Sequence, residues 1–436
     1  MNDDTKARGN DAKLKRDIGV FAAGFLVLNG MIGSGIYGLP GTLADQAGIF
    51  SPWLFIIIGA LFLTVVWTFA ALASYFNYTG GPVVYASRAF GPLIGFQTGW
   101  LLYVGRVSAF AANSNVLFDY ATYLWDGASD FVVRSVLLLV VIGGLTVINI
   151  LGIKKAVQAI NILTFLKIVP LLVLVLIGLQ YLSPAGFLPS ELPKFDDTGA
   201  LALLVLYAFV GFEGAVVTAG ETKNPKKTLP RALITTVLLI TLLYFIIQLV
   251  YVSVAPIGSG NAPLVELGTT LIGPIGGVII IITAIFSVTG NVTSIIIAAP
   301  RMTYAMAEDN SLPLWFSKVH EKYNTPANSI IFLGVFAFLL AITGTFIYLA
   351  IASTLSRMIA YSICILSLPF IRKKADEETL KQATVLPGGY IIPAVGFIVC
   401  VFAASQSTAN SWMYMAGFIG LGSILYFLNY KFQKRS

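Results

Sequence analysis

Long apolar runs recur along the whole chain, and they constrain the fold more than any other feature. Each run is about 20 residues long, which is the length that an α-helix needs to cross the hydrocarbon core of a bilayer. Hydrophobic residues make up 57% of the chain and charged residues 11%, whereas a soluble domain carries about 25% charged residues. Because lipid offers no partner to backbone polar groups, the runs must be helical. We therefore predict an all-α integral membrane protein that contacts the lipid bilayer.

The apolar runs divide into about twelve membrane spans. The predicted spans cover residues 18–43, 52–76, 80–120, 134–152, 156–182, 200–220, 232–254, 274–305, 329–343, 347–371, 390–404 and 412–432. Residues 1–17 are charged and are predicted to form a cytoplasmic tail. The sequence therefore predicts a multi-pass topology with an even number of spans.

The basic residues of the loops agree with this count. When the chain is threaded with its N-terminus inside, Lys and Arg residues collect on the cytoplasmic side, and only Arg134 and Lys194 fall outside. Cytoplasmic loops of membrane proteins carry such an excess of Lys and Arg. We therefore expect both termini to lie on the cytoplasmic side of the cell membrane. The net charge of +7 is explained by orientation, and no nucleic acid partner is predicted.

The first span contains small residues in the middle of its apolar run. Residues 29–36 read Asn-Gly-Met-Ile-Gly-Ser-Gly-Ile, and Gly and Ser are poor helix formers, so we predict a broken helix. A break leaves amide N–H groups free at the start of the second half, where partial positive charge binds anions such as a carboxylate. The alternative is that the glycines only let another helix approach closely.

A second interruption occurs five spans later, in the sixth span. Residues 206–215 read Leu-Tyr-Ala-Phe-Val-Gly-Phe-Glu-Gly-Ala, so that Gly211 and Gly214 flank the carboxylate of Glu213. Gly-interrupted segments at matching positions of two halves point to a transporter site between inverted repeats. We therefore predict a first repeat at residues 18–182, a second at 199–371, and two further spans at 388–432.

Five features make the sequence resemble the amino acid–polyamine–organocation (APC) superfamily, and its bacterial amino acid permeases in particular. They are the Gly-Ser-Gly-Ile stretch at 33–36, the start of the third span at 80–96, the break at 211–213, the Lys-Asn-Pro loop at 223–225, and the length with about twelve spans. The resemblance implies the LeuT-type fold. In that fold, five plus five helices form an inverted repeat, helices 1 and 6 are discontinuous, and two helices follow at the C-terminus.

The resemblance also implies a substrate site at the two breaks. The carboxylate of the substrate is expected on amides near Ser34 and Gly35, and its α-amine is expected to face carbonyl groups of both breaks. The polarity of the helix ends agrees with this orientation. The predicted substrate-binding residues are Met31, Ile32, Gly33, Ser34, Gly35, Arg106, Tyr207, Phe209, Gly211 and Glu213.

An aromatic residue adjoins the second break. Tyr207 stands where the family places an aromatic lid over the substrate, and the alternative is an aromatic side chain packed in the bundle. In the eighth span, Asn291, Thr293 and Ser294 could line the site, or could serve only as packing and hydrogen-bonding residues.

Glu213 is an ionisable group at membrane depth, where such residues are costly and usually face the bundle interior or a pathway. The resemblance matches it to a glutamate of the arginine/agmatine antiporter branch that is connected with proton sensitivity. Glu213 is therefore a candidate for ion coupling. The alternative is a structural carboxylate that binds the broken backbone.

Lys167 lies too deep in the fifth span to reach the membrane surface easily. The resemblance matches it to a lysine whose ammonium group replaces the sodium ion of related symporters. We therefore expect Lys167 to cross-link the fifth span to the first and to remove the need for sodium. The alternative is a lysine paired permanently with a carbonyl group.

Arg106 is unexpected in the middle of the third span, because the antiporter branch has a small uncharged residue there. An arginine at that depth keeps its charge and needs a partner. That partner is either Glu213, in a structural ion pair, or a second acidic group on the substrate. The departure argues against arginine as substrate. Arg357 in the tenth span raises the same question.

The sequence argues against several classes of protein. No nucleotide-binding loop of the G-x-x-x-x-G-K-[ST] type occurs, His320 is the only histidine, and Cys364 and Cys400 both fall within predicted spans. Neither a disulfide framework nor a metal site is predicted. We therefore expect no enzyme activity, no metal and no cofactor.

The predicted function is secondary transport of amino acids by alternating access. We expect it to be independent of sodium and to use either proton-coupled symport or amino acid exchange, so that protons are possible partners. One alternative is a polyamine or amine exchanger of the same fold, and Arg106 weighs against it. Another is a nutrient sensor that binds without transporting.

Overall fold

The computed structural model describes residues 16–76, 80–122, 125–151, 156–182, 198–254 and 262–433. Most of the predicted tail, residues 1–15, lies outside these residues, as does Lys194. The α-helices of the described residues are α1 (Val20–Met31), α2 (Gly35–Ala47), α3 (Ser51–Ser74), α4 (Pro82–Phe90), α5 (Pro92–Thr122), α6 (Phe131–Leu151), α7 (Ala156–Gly178), α8 (Thr198–Phe209), α9 (Glu213–Val217), α10 (Pro225–Val254), α11 (Pro263–Ile272), α12 (Pro274–Glu308), α13 (Ala327–Thr343), α14 (Phe346–Lys374), α15 (Glu377–Gln382), α16 (Ile391–Ser405) and α17 (Ala409–Gln433).

Seven helical segments of the described residues are long and apolar enough to cross a membrane. One of them joins α2 to α3 through a short 3-10 turn, and the others include α6, α10, α12 and α14. An eighth span results if α8 and α9, which meet at a bend of 46°, are counted together. The protein is therefore a multi-pass helical membrane protein, and the number of twelve spans stays a prediction.

The third predicted span divides into two helices. The short helix α4 ends at Phe90, and Gly91 separates it from α5 with a φ of +92°, which favours glycine. The 31 residues of α5 are mostly buried, and Trp100, Tyr103 and Phe110 are completely enclosed. Polar side chains also lie along α5, and its length of 31 residues suffices to cross a membrane.

The outer helices present apolar side chains outward. On α6, Phe131 is 69% and Val140 is 64% exposed, and on α7 Leu176 is 67% exposed. By contrast, α14 packs along α5, and α10 packs along α3. The protein thus turns apolar side chains towards lipid and encloses its polar groups, as expected for a bundle in a bilayer.

Helices α1 and α2 are separated at the first predicted break. Helix α1 ends at Met31 and α2 begins at Gly35, and the N–H of Gly33 turns back to donate to the carbonyl oxygen of Met31 at 3.0 Å. The second predicted break separates α8 from α9, where Gly211 has a φ of +111°. Only glycine adopts such a backbone conformation without strain.

The two breaks face each other. A Cβ atom added to Gly30 would lie 2.6 Å from the carbonyl oxygen of Gly211, and one added to Gly211 would collide with the carbonyl oxygen of Gly30. A Cβ atom on Gly35 would lie 3.0 Å from the Cα atom of Ala208. The glycines therefore allow close approach of the backbones as well as interrupting the helices.

The far ends of the two broken helices are also joined. Before α1, the N–H of Ile18 donates to the carbonyl oxygen of Glu221 at 3.1 Å, and the N–H of Lys223 donates to the carbonyl oxygen of Ile18 at 2.8 Å. This isolated parallel bridge pairs Ile18 with Thr222. It ties the start of α1 to the segment that follows α9, on the side predicted to be cytoplasmic.

Candidate substrate-binding site

A cavity of about 40 Å³ lies between the two breaks. This volume holds roughly three water molecules, so the site is nearly closed. The predicted site residues that line the cavity are Met31, Gly33, Ser34, Gly35, Arg106, Tyr207 and Gly211. Four other predicted residues, which are Ile32, Lys167, Phe209 and Glu213, do not line it. The Phe209 ring packs instead among the rings of Phe55, Phe62 and Tyr244.

Side-chain amides hold the backbone of the first break. The N–H of Ser34 donates to Oδ1 of Asn113 at 2.9 Å. Nδ2 of Asn113 donates to Oδ1 of Asn291 at 3.2 Å, and Nδ2 of Asn291 donates to the carbonyl oxygens of Asn29 at 3.0 Å and Gly30 at 3.1 Å. These bonds satisfy backbone groups that the break frees, as a buried break requires.

Of the three polar residues of the eighth span that could line the site, two line the cavity and one does not. Asn291 and Ser294 line the cavity, and Ser294 Oγ accepts a hydrogen bond from Nδ2 of Asn29 at 2.6 Å. The hydroxyl of Thr293 donates to the carbonyl oxygen of Thr289 in its own helix. Thus α12 contributes the amide of Asn291 and the hydroxyl of Ser294 to the site. The Thr293 hydroxyl is bonded within α12 and does not line the cavity.

Two aromatic side chains in edge-to-face contact lie between this cavity and a larger one. The hydroxyl of Tyr207 lies 2.8 Å from Oγ of Ser34, and its ring meets the ring of Phe346 edge to face at 5.8 Å between centroids. Phe346 lines a second cavity of about 560 Å³ and lies so close to Gly38 that a Cβ atom there would be 2.6 Å from the ring. Tyr207 and Phe346 therefore form a two-ring layer between the two cavities.

We expect Phe346→Ala to open the small cavity to the larger one. With Ser34→Cys as reporter in proteoliposomes, a charged thiol reagent added on the side of the 560 Å³ cavity should react several times faster in the Phe346→Ala background. Background labelling should be low, because Cys364 and Cys400 are both completely buried. Phe402→Ala is the control, since this phenylalanine is 56% exposed on α16. Equal labelling of Ser34→Cys with and without the Phe346→Ala substitution would show that Phe346 is not a barrier.

Glu213 lies behind the cavity wall at the start of α9 and is completely buried. One carboxylate oxygen, Oε2, accepts hydrogen bonds from the Tyr361 hydroxyl at 2.7 Å and from the N–H of Gly211 at 3.0 Å. The other, Oε1, lies 3.2 Å from Nε of Arg357 and 3.6 Å from Nη2 of Arg106. The predicted pair of Arg106 with Glu213 is therefore present, but Arg357 is the nearer partner.

The two arginines differ in how their donors are used. Nη1 of Arg357 donates to the carbonyl oxygen of Gly105 at 2.9 Å and also to the backbone and side chain of Ser353. Among the described residues, Nε of Arg106 is buried without a hydrogen-bond partner. Arg357 is thus held within the bundle, whereas Arg106 has donor capacity to spare at the cavity.

Lys167 reaches the first break from α7. It is completely buried, and its Nζ donates to the carbonyl oxygen of Ile32 at 2.7 Å and to Oδ1 of Asn29 at 2.8 Å. The hydroxyl of Thr164 donates to the same Asn29 oxygen at 3.3 Å. The ammonium group thus connects α7 to the break between α1 and α2, in the place where the sequence predicted a cross-link.

Sequence reasoning missed several residues that hold the site. Asn113 binds the broken backbone, and Asn29 accepts a hydrogen bond from Lys167 and donates one to Ser294. Tyr361 binds Glu213, and Phe346 packs against Tyr207. The two asparagines carry a signal that was available, because polar side chains inside an apolar span are rare and usually face the bundle interior. Nothing in the local sequence distinguishes Tyr361 or Phe346 from other aromatic residues.

The sequence matches one protein family and several individual relatives. The family model described as amino acid permease matches residues 18–428. Similar proteins from Bacillus subtilis (strain 168) include the branched-chain amino acid permease BcaP, 28% identical over 97% of this chain and 94% of the relative. They also include the methylthioribose transporter, 27% identical (97% and 95%), and the serine/threonine exchanger SteT, 27% identical (98% and 99%).

The names of these relatives refer to different substrates. The match therefore identifies the kind of protein and leaves its substrate open. The family consists of transporters. The family model covers the chain from the start of the first span to near the end of the last helix, and this range includes both broken helices. This chain belongs to the amino acid permease family of the APC superfamily.

Proposed function

We propose that this protein carries amino acids across the cytoplasmic membrane by alternating access, without sodium. The observation that carries the proposal is the meeting of two broken helices around a small polar cavity. Substrate sites of this kind lie where discontinuous helices face each other, and one bundle rocks against the other around them. The two-ring layer of Tyr207 and Phe346 supplies a barrier on one side, and the Ile18–Thr222 bridge ties the helices on the other.

The proposed topology has twelve spans with both termini in the cytoplasm. Residues 18–182 and 199–371 form two inverted repeats of the LeuT type, residues 388–432 add two helices, and residues 1–17 form the tail. The pair of breaks at corresponding places, between α1 and α2 and between α8 and α9, supports this arrangement. The excess of Lys and Arg in alternate loops supports the orientation.

The proposed binding mode places the substrate carboxylate at the start of α2, near Ser34 and Gly35. The N-terminus of a helix carries partial positive charge, which suits a carboxylate. The N–H of Ser34 itself donates to Asn113. The α-amine faces the opposite polarity, at the carbonyl ends of α1 and α8. The cavity wall contains both elements, since Met31 ends α1 and Gly211 follows α8.

A polyamine or amine exchanger is a poorer fit to the cavity. Its wall contains Arg106 and Arg357 and no carboxylate, because Glu213 lies behind it, where it accepts three hydrogen bonds and pairs with Arg106 at 3.6 Å. A dication would have to enter beside two positive charges. The cavity therefore supports a substrate that carries at least one anionic group.

Sodium independence is proposed from the position of Lys167. Its ammonium group supplies a positive charge between α7 and the carbonyl oxygen of Ile32, where a bound cation would otherwise be needed to satisfy freed carbonyl groups. Protons or a second amino acid then drive transport. Uptake into proteoliposomes driven by a pH gradient indicates symport, and uptake that requires internal amino acid indicates exchange.

Lys167→Ala is expected to lower sodium-free uptake by about tenfold or more. The substitution removes the donor that lies 2.7 Å from the carbonyl oxygen of Ile32 and the nearer of the two donors to Oδ1 of Asn29. A buried acceptor that loses its partner costs about 1–3 kcal/mol. Lys227→Ala, at an exposed position in α10, is the control and should transport normally. Recovery of uptake on adding sodium would support replacement of a cation by the ammonium group. A Lys167→Ala protein that transports normally without sodium would rule the role out.

The test of the proposed function is uptake by the purified protein in proteoliposomes. A panel of labelled amino acids and putrescine is offered first in sodium buffer and then with sodium replaced by choline. We expect concentrative uptake or exchange of at least one amino acid in both buffers. A protein that is stabilised against heat by an amino acid but accumulates nothing would be a sensor, and accumulation of putrescine alone would identify an amine exchanger.

A further inference from the structure

The wall of the small cavity is unusually positive. Two guanidinium groups, those of Arg106 and Arg357, line it, and its lining contains no carboxylate. An arginine cannot lose its charge inside a protein. One carboxylate, that of Glu213, lies within 4 Å of both, so the group of three side chains keeps one uncompensated positive charge beside the site.

Both arginines line the cavity, but Arg106 has fewer protein partners for its donors than Arg357. Arg357 is 3% exposed and engages Glu213, Gly105 and Ser353. Arg106 is 9% exposed, its nearest charged partner is 3.6 Å away, and its Nε is buried without a partner among the described residues. A buried donor without a partner is costly, and a ligand oxygen in the cavity would satisfy it.

Arg106 shares one face of α5 with the residue that holds the first break. Arg106, Ala109 and Asn113 all line the cavity and follow each other at intervals of three and four residues, so they share one face of the helix. Asn113 binds the N–H of Ser34 at the start of α2, where the α-carboxylate is proposed to lie. The backbone positions of Arg106 and Asn113 are about 10 Å apart along the helix axis, and the small side chain of Ala109 lines the cavity between them.

We propose that Arg106 is a subsite for a second carboxylate, and that the protein therefore transports acidic amino acids, aspartate or glutamate. The inference rests on the proposed function. The α-carboxylate takes the start of α2, and the side-chain carboxylate takes the donors of Arg106, which together neutralise the positive charge of the cavity. A charged hydrogen bond in a site closed to water discriminates strongly against an analogue that lacks the charge.

The experiment compares pairs of substrates that have the same shape. Binding of L-aspartate and L-asparagine, and of L-glutamate and L-glutamine, is measured by calorimetry on the purified protein, and uptake of labelled L-aspartate is measured in proteoliposomes. We expect the better acid to bind at least about tenfold more tightly than its amide. Arg106→Gln should remove most of this preference while amide binding changes little.

The controls separate the inference from the proposed function. Arg231→Gln replaces an exposed arginine of α10 and should keep the preference for the acid, and Arg106→Lys should keep part of it because the charge remains. Wild-type protein that takes up neutral amino acids and binds acid and amide equally would overturn the inference and leave the proposed function standing. Wild-type protein that takes up no amino acid would overturn the proposed function itself. If Arg106→Gln does not fold, the wild-type ratio and Arg106→Lys decide.

Discussion

We expect Glu213→Gln to destabilise the protein by about 3–5 kcal/mol, because removing one partner of a buried ion pair leaves an uncompensated charge. Here the substitution leaves two charges, since the guanidinium groups of Arg106 and Arg357 both lie within 4 Å of the carboxylate. The glutamine also replaces a charged acceptor of the Tyr361 hydroxyl by a neutral one. Thermal unfolding of the purified protein in detergent measures the effect.

Charge compensation makes this prediction specific. The double variant Glu213→Gln with Arg357→Gln should recover part of the lost stability, because it removes one of the two unpaired charges. Glu308→Gln, at an exposed position near the end of α12, should unfold at the wild-type temperature. If Glu213→Gln alone is as stable as the wild type, the ion pair is not structural, and the alternative role of Glu213 in proton coupling gains support.

Gly211→Ala is expected to reduce uptake at least about tenfold. Gly211 has a φ of +111°, where a side chain is strained, and its Cβ atom would collide with the carbonyl oxygen of Gly30. Strain of this kind costs about 1–3 kcal/mol, and relief of the collision requires the two broken helices to move apart at the cavity. Uptake in proteoliposomes and thermal unfolding are measured together.

A matched substitution distinguishes this effect from a general cost of replacing glycine. Gly417 lies in α17, and a Cβ atom there would meet nothing within 4 Å, so Gly417→Ala should transport normally. Gly30→Ala should resemble Gly211→Ala, because its Cβ atom would approach the carbonyl oxygen of Gly211 from the other side. Normal uptake by Gly211→Ala would show that close contact between the breaks is not required for transport.

Much of the architecture follows from short stretches of sequence. Apolar runs predict membrane helices because lipid requires paired backbone groups, and the glycines around Gly33 and Gly211 predict breaks because they are poor helix formers. Both breaks lie where they were predicted, and seven of the described helical segments are long and apolar enough to span. The sequence predicted one span over residues 80–120, whereas Gly91 divides it into two helices.

The candidate site was predictable only in part. Its backbone component was found through the glycines, and Arg106 and Lys167 were found because charges are rare at membrane depth. The sequence left Arg106 with two possible partners, and the structure shows Glu213 already engaged by Arg357, which lies 144 residues further along the chain. Phe209, predicted to contribute to binding, packs among other aromatic rings instead.

Local sequence decides where this chain is helical and where it is interrupted, because backbone conformation and the cost of exposing peptide groups to lipid depend on neighbouring residues. Packing decides which side chains meet. Lys167 finds Ile32 across 135 residues, and Tyr361 finds Glu213 across 148. Such pairs depend on how separate helices are rotated and packed against each other. The pattern of apolar residues within one helix does not determine which side chains of another helix it will contact. The charge of the cavity is therefore a property of the folded bundle.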